Sequence, residues 1–285
     1  DDRSGLNDNL SGSERPVKFD VPVLNYNGEI VHSLAKWKRA ALKQYDFHVG
    51  NGLYADMNAI RRDEELDNLH SIYVDQWDWE RVISREQRSL DYLKETVQNL
   101  VNAIAETSSR LHTKYPKVET VINTNVSFIT SQELVDLYPN LTAKERENAY
   151  VKEHPTTFIL QIGDILSHGE PHDQRAPDYD DWSLNGDLLF WHEPLGCAIE
   201  LSSMGIRVDD KALLTQLEKA NANDRLAYPF HQQILNNELP LTIGGGIGQS
   251  RMCMLLLSKV HIGEVQVSLW DEETLNACKD KVFLL

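Results

Sequence analysis

The sequence predicts an α+β fold, a mixed arrangement in which helices pack on an antiparallel sheet. Three observations predict it. HSIYVDQWDWERV (70–82) alternates polar and apolar residues over a long stretch, as a strand with one buried face does. Leu90, Leu93, Val97, Leu100, Val101 and Ile104 recur at helical spacings of three and four. Strands and helices are mixed without strict alternation, which argues against a doubly wound parallel sheet.

In order along the chain, VKFDVPVL (17–24) alternates, and EIVHSL (29–34) follows the turn-like NYNG, so two strands are expected. KWKRAALKQY (36–45) reads as a short helix, and 70–82 as the half-buried strand. Ser84 and Gln87 fit a capping box, so the helix carrying Leu90 to Ile104 is expected to begin after Ser84 and run to about Lys114. NVSFITS (125–131) gives a strand, and TAKERENAYVKEH (142–154) a helix capped by Thr142. TTFILQIG (156–163) is a strand that leads into the polar loop HGEPHDQRAPDYDDWS. DLLFWHE (187–193) and CAIELSSMGIRV (197–208), separated by PLG, form a hairpin. Helices follow at 209–220 and 228–238. TIGGGIGQSRMCMLLL opens a last helix, and VQVSLW (265–270) is a last strand. Repeats, low-complexity tracts and linker-like runs are absent, which predicts a single domain over 1–285.

Lys and Arg number 28 against 44 Asp and Glu, a formal net charge of −16. Such a surface repels phosphate backbones, so no nucleic-acid partner is expected. No run of apolar residues is long enough to span a bilayer, and the first residues lack the apolar core of a secretory signal, so no membrane association is expected. Cys197, Cys253 and Cys278 are odd in number and lack CxxC spacing, which fits reduced thiols and a cytoplasmic location.

Several segments carry chemistry. Gly244, Gly245, Gly246 and Gly248 precede Arg251 at the start of a helix. Glycines permit close backbone approach, a helix start favours an anion, and an arginine adds a fixed cation; a tight strand-to-helix turn is the plainer alternative. In 60–80, Arg61 and Arg62 precede a strand on which Gln76, Asp78 and Glu80 face one way and Asp75, Trp77 and Trp79 the other. The polar face reads as a site, or as a solvated strand face. The hairpin brings Asp187 and Glu200 onto neighbouring strands, where two carboxylates suit Mg²⁺ beside phosphates, or simply face solvent. His168 and His172 lie in a charged loop and do not make a metal pair.

DNLSG (8–12), HSLAKWKR (32–39), HSIYVDQWDWER (70–81), RAPDYDDW (175–182), LNGD (184–187), ELSSMGIRV (200–208) and TIGGGIGQSR (242–251) together resemble the ammonia-dependent asparagine synthetase (aspartate–ammonia ligase) family, from Asp8 to about Trp270 and in order. The segment around Arg61 and GGGIGQSR also resemble motifs 2 and 3 of class II aminoacyl-tRNA synthetases. The resemblance implies a class II synthetase-like catalytic domain. It implies that aspartate, ATP and ammonia become asparagine, AMP and pyrophosphate through β-aspartyl-adenylate. Arg61 would hold the α-phosphate and the reacting carboxylate, and Arg251 the outer phosphates. Asp187 and Glu200 would hold Mg²⁺, and Gly246 would belong to the nucleotide site. Ser33, Lys38, Gln76, Asp78, Asp180 and Ser203 would line the amino-acid site, with Lys38 on the α-carboxylate and Asp78 or Asp180 on the α-ammonium. Asp8 matches an active-site aspartate that orients ammonia or takes its proton. The family is homodimeric through an N-terminal helix and strand that precede DNLSG. It also has a longer loop between DDWS and LNGD than the Ser183–Leu184 junction allows. Both segments are expected in the full protein. An aspartyl- or asparaginyl-tRNA synthetase and a non-catalytic paralogue are the alternatives.

Overall fold

In the computed structural model, residues 4–7 and 14–285 are described. A ribbon comes first: Lys18–Val21 (β1) pairs antiparallel with Tyr26–Glu29 (β2). The strand expected at 17–24 stops at Val21 because Pro22–Leu24 make the turn, and the expected turn NYNG supplies β2, so of the strand expected at 29–34 only Glu29 is in it. The chain turns instead into Ala35–Gln44 (α1), with Ser33 Oγ accepting the Ala35 N–H at 3.0 Å. Gly52–Ile60 (β3) then pairs along its length with Tyr73–Val82 (β4). β3 was not predicted, although Leu53, Ala55, Met57 and Ala59 alternate with the exposed Tyr54, Asp56 and Asn58; it is an edge strand of the sheet. Leu90–Lys114 (α2) begins at Ser89, whose side chain accepts from the Tyr92 N–H. Ser84 does not cap it; the Ser84 N–H donates to Gln87 in the preceding turn, so half a capping box closes a loop.

Ser127–Thr130 (β5) runs into Ser131–Leu137 (α3), which was not predicted although Thr130 and Glu133 form a capping box. Ala143–Glu153 (α4) follows, with Thr142 and Glu145 in the same motif. Thr156–Leu160 (β6), Asp180–His192 (β7) and Cys197–Arg207 (β8) come next. Strand β7 runs unbroken through Ser183–Leu184, where a longer loop was expected; its register with β8 slips between Asp180 and Asn185. Asp210–Lys219 (α5) and Pro229–Leu235 (α6) lead to Thr242–Gly248 (β9) and Gln249–Leu256 (α7). The last strand expected at VQVSLW (265–270) does not form: Gln266 is buried and Val267 and Leu269 are exposed, but among the described residues no strand pairs with the segment. Glu272–Cys278 (α8), started by Asp271, ends the described helices.

The main sheet has the order β3-β4-β9-β8-β7-β6-β5, and among the described strands β5–β6 is its one parallel pair. One face buries Phe158, Leu188, Phe190, Met204 and Ile243 against Leu93, Val97, Val101 and Ile104 of α2. At ~25 cal/mol per Å² this apolar contact is the main force holding the sheet rigid. The other face is left for chemistry on its β4–β9–β8 half. Among the described residues no helix is long and apolar enough to cross a membrane.

Candidate active site

Register decides which side chains meet. Gln76, Asp78 and Glu80 of β4 lie opposite Gly248, Gly246 and Gly244 of β9, and Gly246 and Gly244 lie opposite Ser203 and Gly205 of β8. Glu200 stands three residues before Ser203, so strict alternation would send it to the other face. Leu188 and Leu189 pair with Ser202 and Glu200, leaving Leu201 as an extra residue. That bulge turns Glu200 back, so Asp187, Glu200 and Ser203 share one face.

The glycine run is strand in the middle of the sheet, not a turn around a phosphate. A Cβ on Gly246 would lie 2.5 Å from Gln76 Oε1, and one on Gly244 would strike Glu80 and come within 2.7 Å of Arg207. These glycines keep one strand bare so that side chains from both neighbours can lie across it.

A cleft of about 580 Å³ opens over this floor. Of the expected amino-acid site, Ser33, Lys38, Gln76, Asp78, Asp180 and Ser203 all line it. Arg61, Glu200, Gly246 and Arg251 of the expected nucleotide site line it too. Asp187 sits behind the wall, 6% exposed, and reaches the cleft through Arg175. Asp8 lies outside the described residues. Arg175, Tyr179, Arg207 and Gln266 line the cleft without having been expected there. Arg207 was legible in principle, since it stands at even spacing from Ser203 and Gly205. Arg175 opens RAPDYDDW, a segment of the resemblance in which only Asp180 was given a role.

Lys38 departs from its expected role. It is 0% exposed, and its ammonium donates to Asp78, to the Trp79 carbonyl at 3.1 Å and to the Gly245 carbonyl at 3.2 Å. An ammonium has three donors. None is left for an α-carboxylate, so Lys38 holds Asp78 in place. Burial pulls the Lys38 ammonium below its usual range, and Asp78 and Glu80 oppose that. Asp78 Oδ2 is buried with no partner and is thus left to accept from a ligand.

Arg207 donates to Glu80 at 2.7 to 3.1 Å and to Asp180. Burial works against its charge, but Asp180 and Glu80 outweigh it and hold the guanidinium well above its ordinary range. Burial pushes Asp180 up, against the pull of Arg207. The two catalytic arginines of the expectation are held more loosely. Arg251 Nη1 donates to the Glu200 carbonyl at 3.0 Å and stays 3.8 Å from its carboxylate. Arg61 lies 3.9 Å from Glu64, and its Nε is buried without a partner. Both have donors to spare for an anion.

Behind the cleft, Asp178 is 0% exposed and accepts from Lys36 at 2.8 Å, His231 at 2.9 Å and Arg225 at 3.0 Å. This ties α1, the segment entering β7 and the start of α6 to one carboxylate.

The fit of Mg²⁺ rests on Asp187 and Glu200. Asp187 Oδ1 is buried without a partner, and burial lifts the carboxyl up to about 7 despite Arg175, with Glu200 and Asp173 adding to the rise. An orphaned acid oxygen beside a second acid suits a hard cation whose other ligands are waters and phosphate oxygens. No group of three or more His, Cys, Asp or Glu able to hold a metal occurs among the described residues. His172 bonds Glu147 at 3.1 Å, and His168 is exposed.

The family described as aspartate-ammonia ligase matches residues 1–282. A relative from Clostridium perfringens described as aspartate–ammonia ligase is 58% identical over 278 residues, covering 97% of this chain and 83% of its own length. One from Lactobacillus acidophilus, described likewise, is 57% identical over 285 residues, covering 99% and 85%. Among solved structures, an asparaginyl-tRNA synthetase of Entamoeba histolytica in complex with asparaginyl-adenylate superposes with a TM-score of 0.63 at 15% identity. The match covers 88% of this chain and 58% of that one. That of Pyrococcus horikoshii, also with asparaginyl-adenylate, gives 0.62 at 15% identity, covering 89% and 58%. At this identity the likeness carries the fold, which is of the class II aminoacyl-tRNA synthetase type.

Proposed function

The chain belongs to the aspartate–ammonia ligase family, and from that premise we propose that its cleft makes asparagine from aspartate, ATP and ammonia through β-aspartyl-adenylate. One observation carries the reading of the site: ten residues expected from separate segments of the sequence line one cleft.

The reaction brings a carboxylate onto a triphosphate, so fixed cations must offset two like-charged reactants. Arg61 holds the aspartate side-chain carboxylate against the α-phosphate, and its unpartnered Nε supports this role. Arg251 takes the outer phosphates. Asp78, oriented by Lys38, accepts the α-ammonium through its free Oδ2, and Asp180, braced by Arg207, stands beside it. Ser33 and Ser203 contribute hydroxyls, and Gln76 lies across Gly246 toward the reacting end. Buried Lys38 supplies a positive field for the α-carboxylate without touching it. Asp187 and Glu200 would hold Mg²⁺, which when bound offsets charge on the departing pyrophosphate. Asp8 orients ammonia or takes its proton.

We also infer a homodimer in the reducing cytosol. Exposed Phe19, Val23 and Leu24 support a partner surface, and three free cysteines support the compartment.

The test is purified protein with aspartate, Mg·ATP and ammonium. AMP release should need both aspartate and ammonium. Release that ignores ammonium, or transfer of the aspartyl group to tRNA, would overturn the reading in favour of a synthetase.

A further inference from the structure

Among the described residues Arg175 is the one guanidinium that bonds Asp187 of the expected metal pair; Arg251 lies on Glu200. Its Nη1 bonds Asp173 at 2.5 Å, its Nη2 bonds Asp187, and its side chain is 11% exposed at the cleft wall. Asp187 keeps its other oxygen, Oδ1, buried and unpartnered. Glu200 faces the same side and is half-open, 37% exposed. A buried carboxylate does not give up a cation unless another takes its place. A guanidinium fork accepts a phosphate as readily as a carboxylate.

We propose that Arg175 is an exchangeable cation: it neutralises Asp187 while the cleft is empty, and when Mg·ATP binds it yields Asp187 to the metal and turns to the outer phosphates. This rests on the reading of Asp187 and Glu200 as the metal pair. The charge count supports the exchange. Before ligands arrive, the acids of this corner share the positive charge of Arg175. Afterwards the metal serves the acids, and Arg175 and Arg251 are both free for the triphosphate. Metal and nucleotide thus each remove an obstacle to the other, which is a coupling between two binding events and is reciprocal.

The proposal makes a prediction of opposite signs. The full chain and its Arg175→Met variant are titrated with Mn²⁺ by electron paramagnetic resonance, with and without α,β-methylene-ATP. The analogue is also titrated at saturating Mn²⁺ by calorimetry. Without nucleotide, Arg175→Met should bind Mn²⁺ about tenfold more tightly, because its competitor is gone. With Mn²⁺ saturating, it should bind the analogue about tenfold more weakly, because a phosphate ligand is gone. A residue that merely shapes the wall would move both affinities the same way, and that outcome overturns the proposal, as does no change in either. If the unaltered chain binds no Mn²⁺ even with the analogue, the metal-pair reading itself fails. Arg175→Lys serves if the methionine variant does not fold. It keeps a single charge but loses the fork, so it should show the same two signs at smaller amplitude, and one shared sign overturns the proposal there as well.

Discussion

At the scale of single residues, the two glycines opposite the site strand separate activity from stability. Gly246→Ala puts a methyl 2.5 Å from Gln76 Oε1, the tip of a flexible side chain. The amide swings aside at little cost to the fold. The melting temperature should hold, while kcat/KM for aspartate falls about 10²-fold, as a displacement near 1 Å at a reacting centre does. Gly244→Ala meets the Trp79 carbonyl at 2.6 Å and both partners of the buried Arg207–Glu80 pair. Splitting such a pair costs about 3–5 kcal/mol. Thermal melts and kinetics should therefore rank the two variants in opposite orders, and equal melting temperatures would remove the packing argument. Arg251→Ala adds a third case. It loses a 3.0 Å bond to the Glu200 carbonyl and a 3.5 Å bond to that of Leu69; if Arg251 clamps the phosphates as proposed, aspartate-dependent pyrophosphate exchange should fall about 10³-fold with the fold intact. Gln76, Asp78 and Arg251 were legible because strand alternation and a helix start are local patterns. The duty of Lys38 was not, since all three of its bonds are made to β4 and β9, far along the chain.

At the scale of elements, the joint at Asp178 decides whether α1 and the strand entrance stay in register with the site. Asp178→Ala strands Lys36 and His231 in a buried pocket and should lower stability by about 3–5 kcal/mol. Because α1 carries Lys38 and starts just after Ser33, and Asp180 opens β7 two residues beyond Asp178, KM for aspartate should rise more than kcat falls. A variant that loses stability with KM unmoved would make the cluster a brace without influence on the site. The pH dependence has a fixed sign. Burial opposes ionisation of Asp178, but Lys36, His231 and Arg225 outweigh it and hold the carboxyl well below its ordinary range. Its folded value lies below the unfolded value of about 4, so its stabilisation is whole above that pH and is lost as acid is added below it. Urea midpoints of the parent and Asp178→Asn should converge as pH falls through that window. The sequence displayed the partners of this joint only as scattered charges. It also hid β3, an edge strand whose inward face includes two small alanines and whose outward face is polar, and the bulge at Leu201, which a count of alternating residues cannot contain. The long strands, α2 and α4 were legible because their periods and caps lie within one segment.

At the scale of the whole molecule, charge sets the terms on which the nucleotide enters. The chain carries −16, and on the described cleft wall acidic side chains outnumber basic ones seven to five. Three of those five bases are committed to buried partners, Lys38 to Asp78, Arg175 to Asp187 and Arg207 to Glu80 and Asp180. A free triphosphate therefore approaches against the field, and only close in does it meet Arg61 and Arg251. Salt screens the long-range repulsion more than the short-range clamp, since raising ionic strength from about 10 mM to about 150 mM shrinks the screening length from about 30 Å to about 8 Å. It follows that kcat/KM for Mg·ATP should hold or rise across that range. A site that grips an RNA backbone behaves in the opposite way, losing affinity steeply as counterions return. Steady-state rates across a KCl series at fixed free Mg²⁺ read the sign directly. A tenfold fall would mean that a net positive field draws the nucleotide in, and the balance drawn between an acidic surface and a few short-range cations would be wrong.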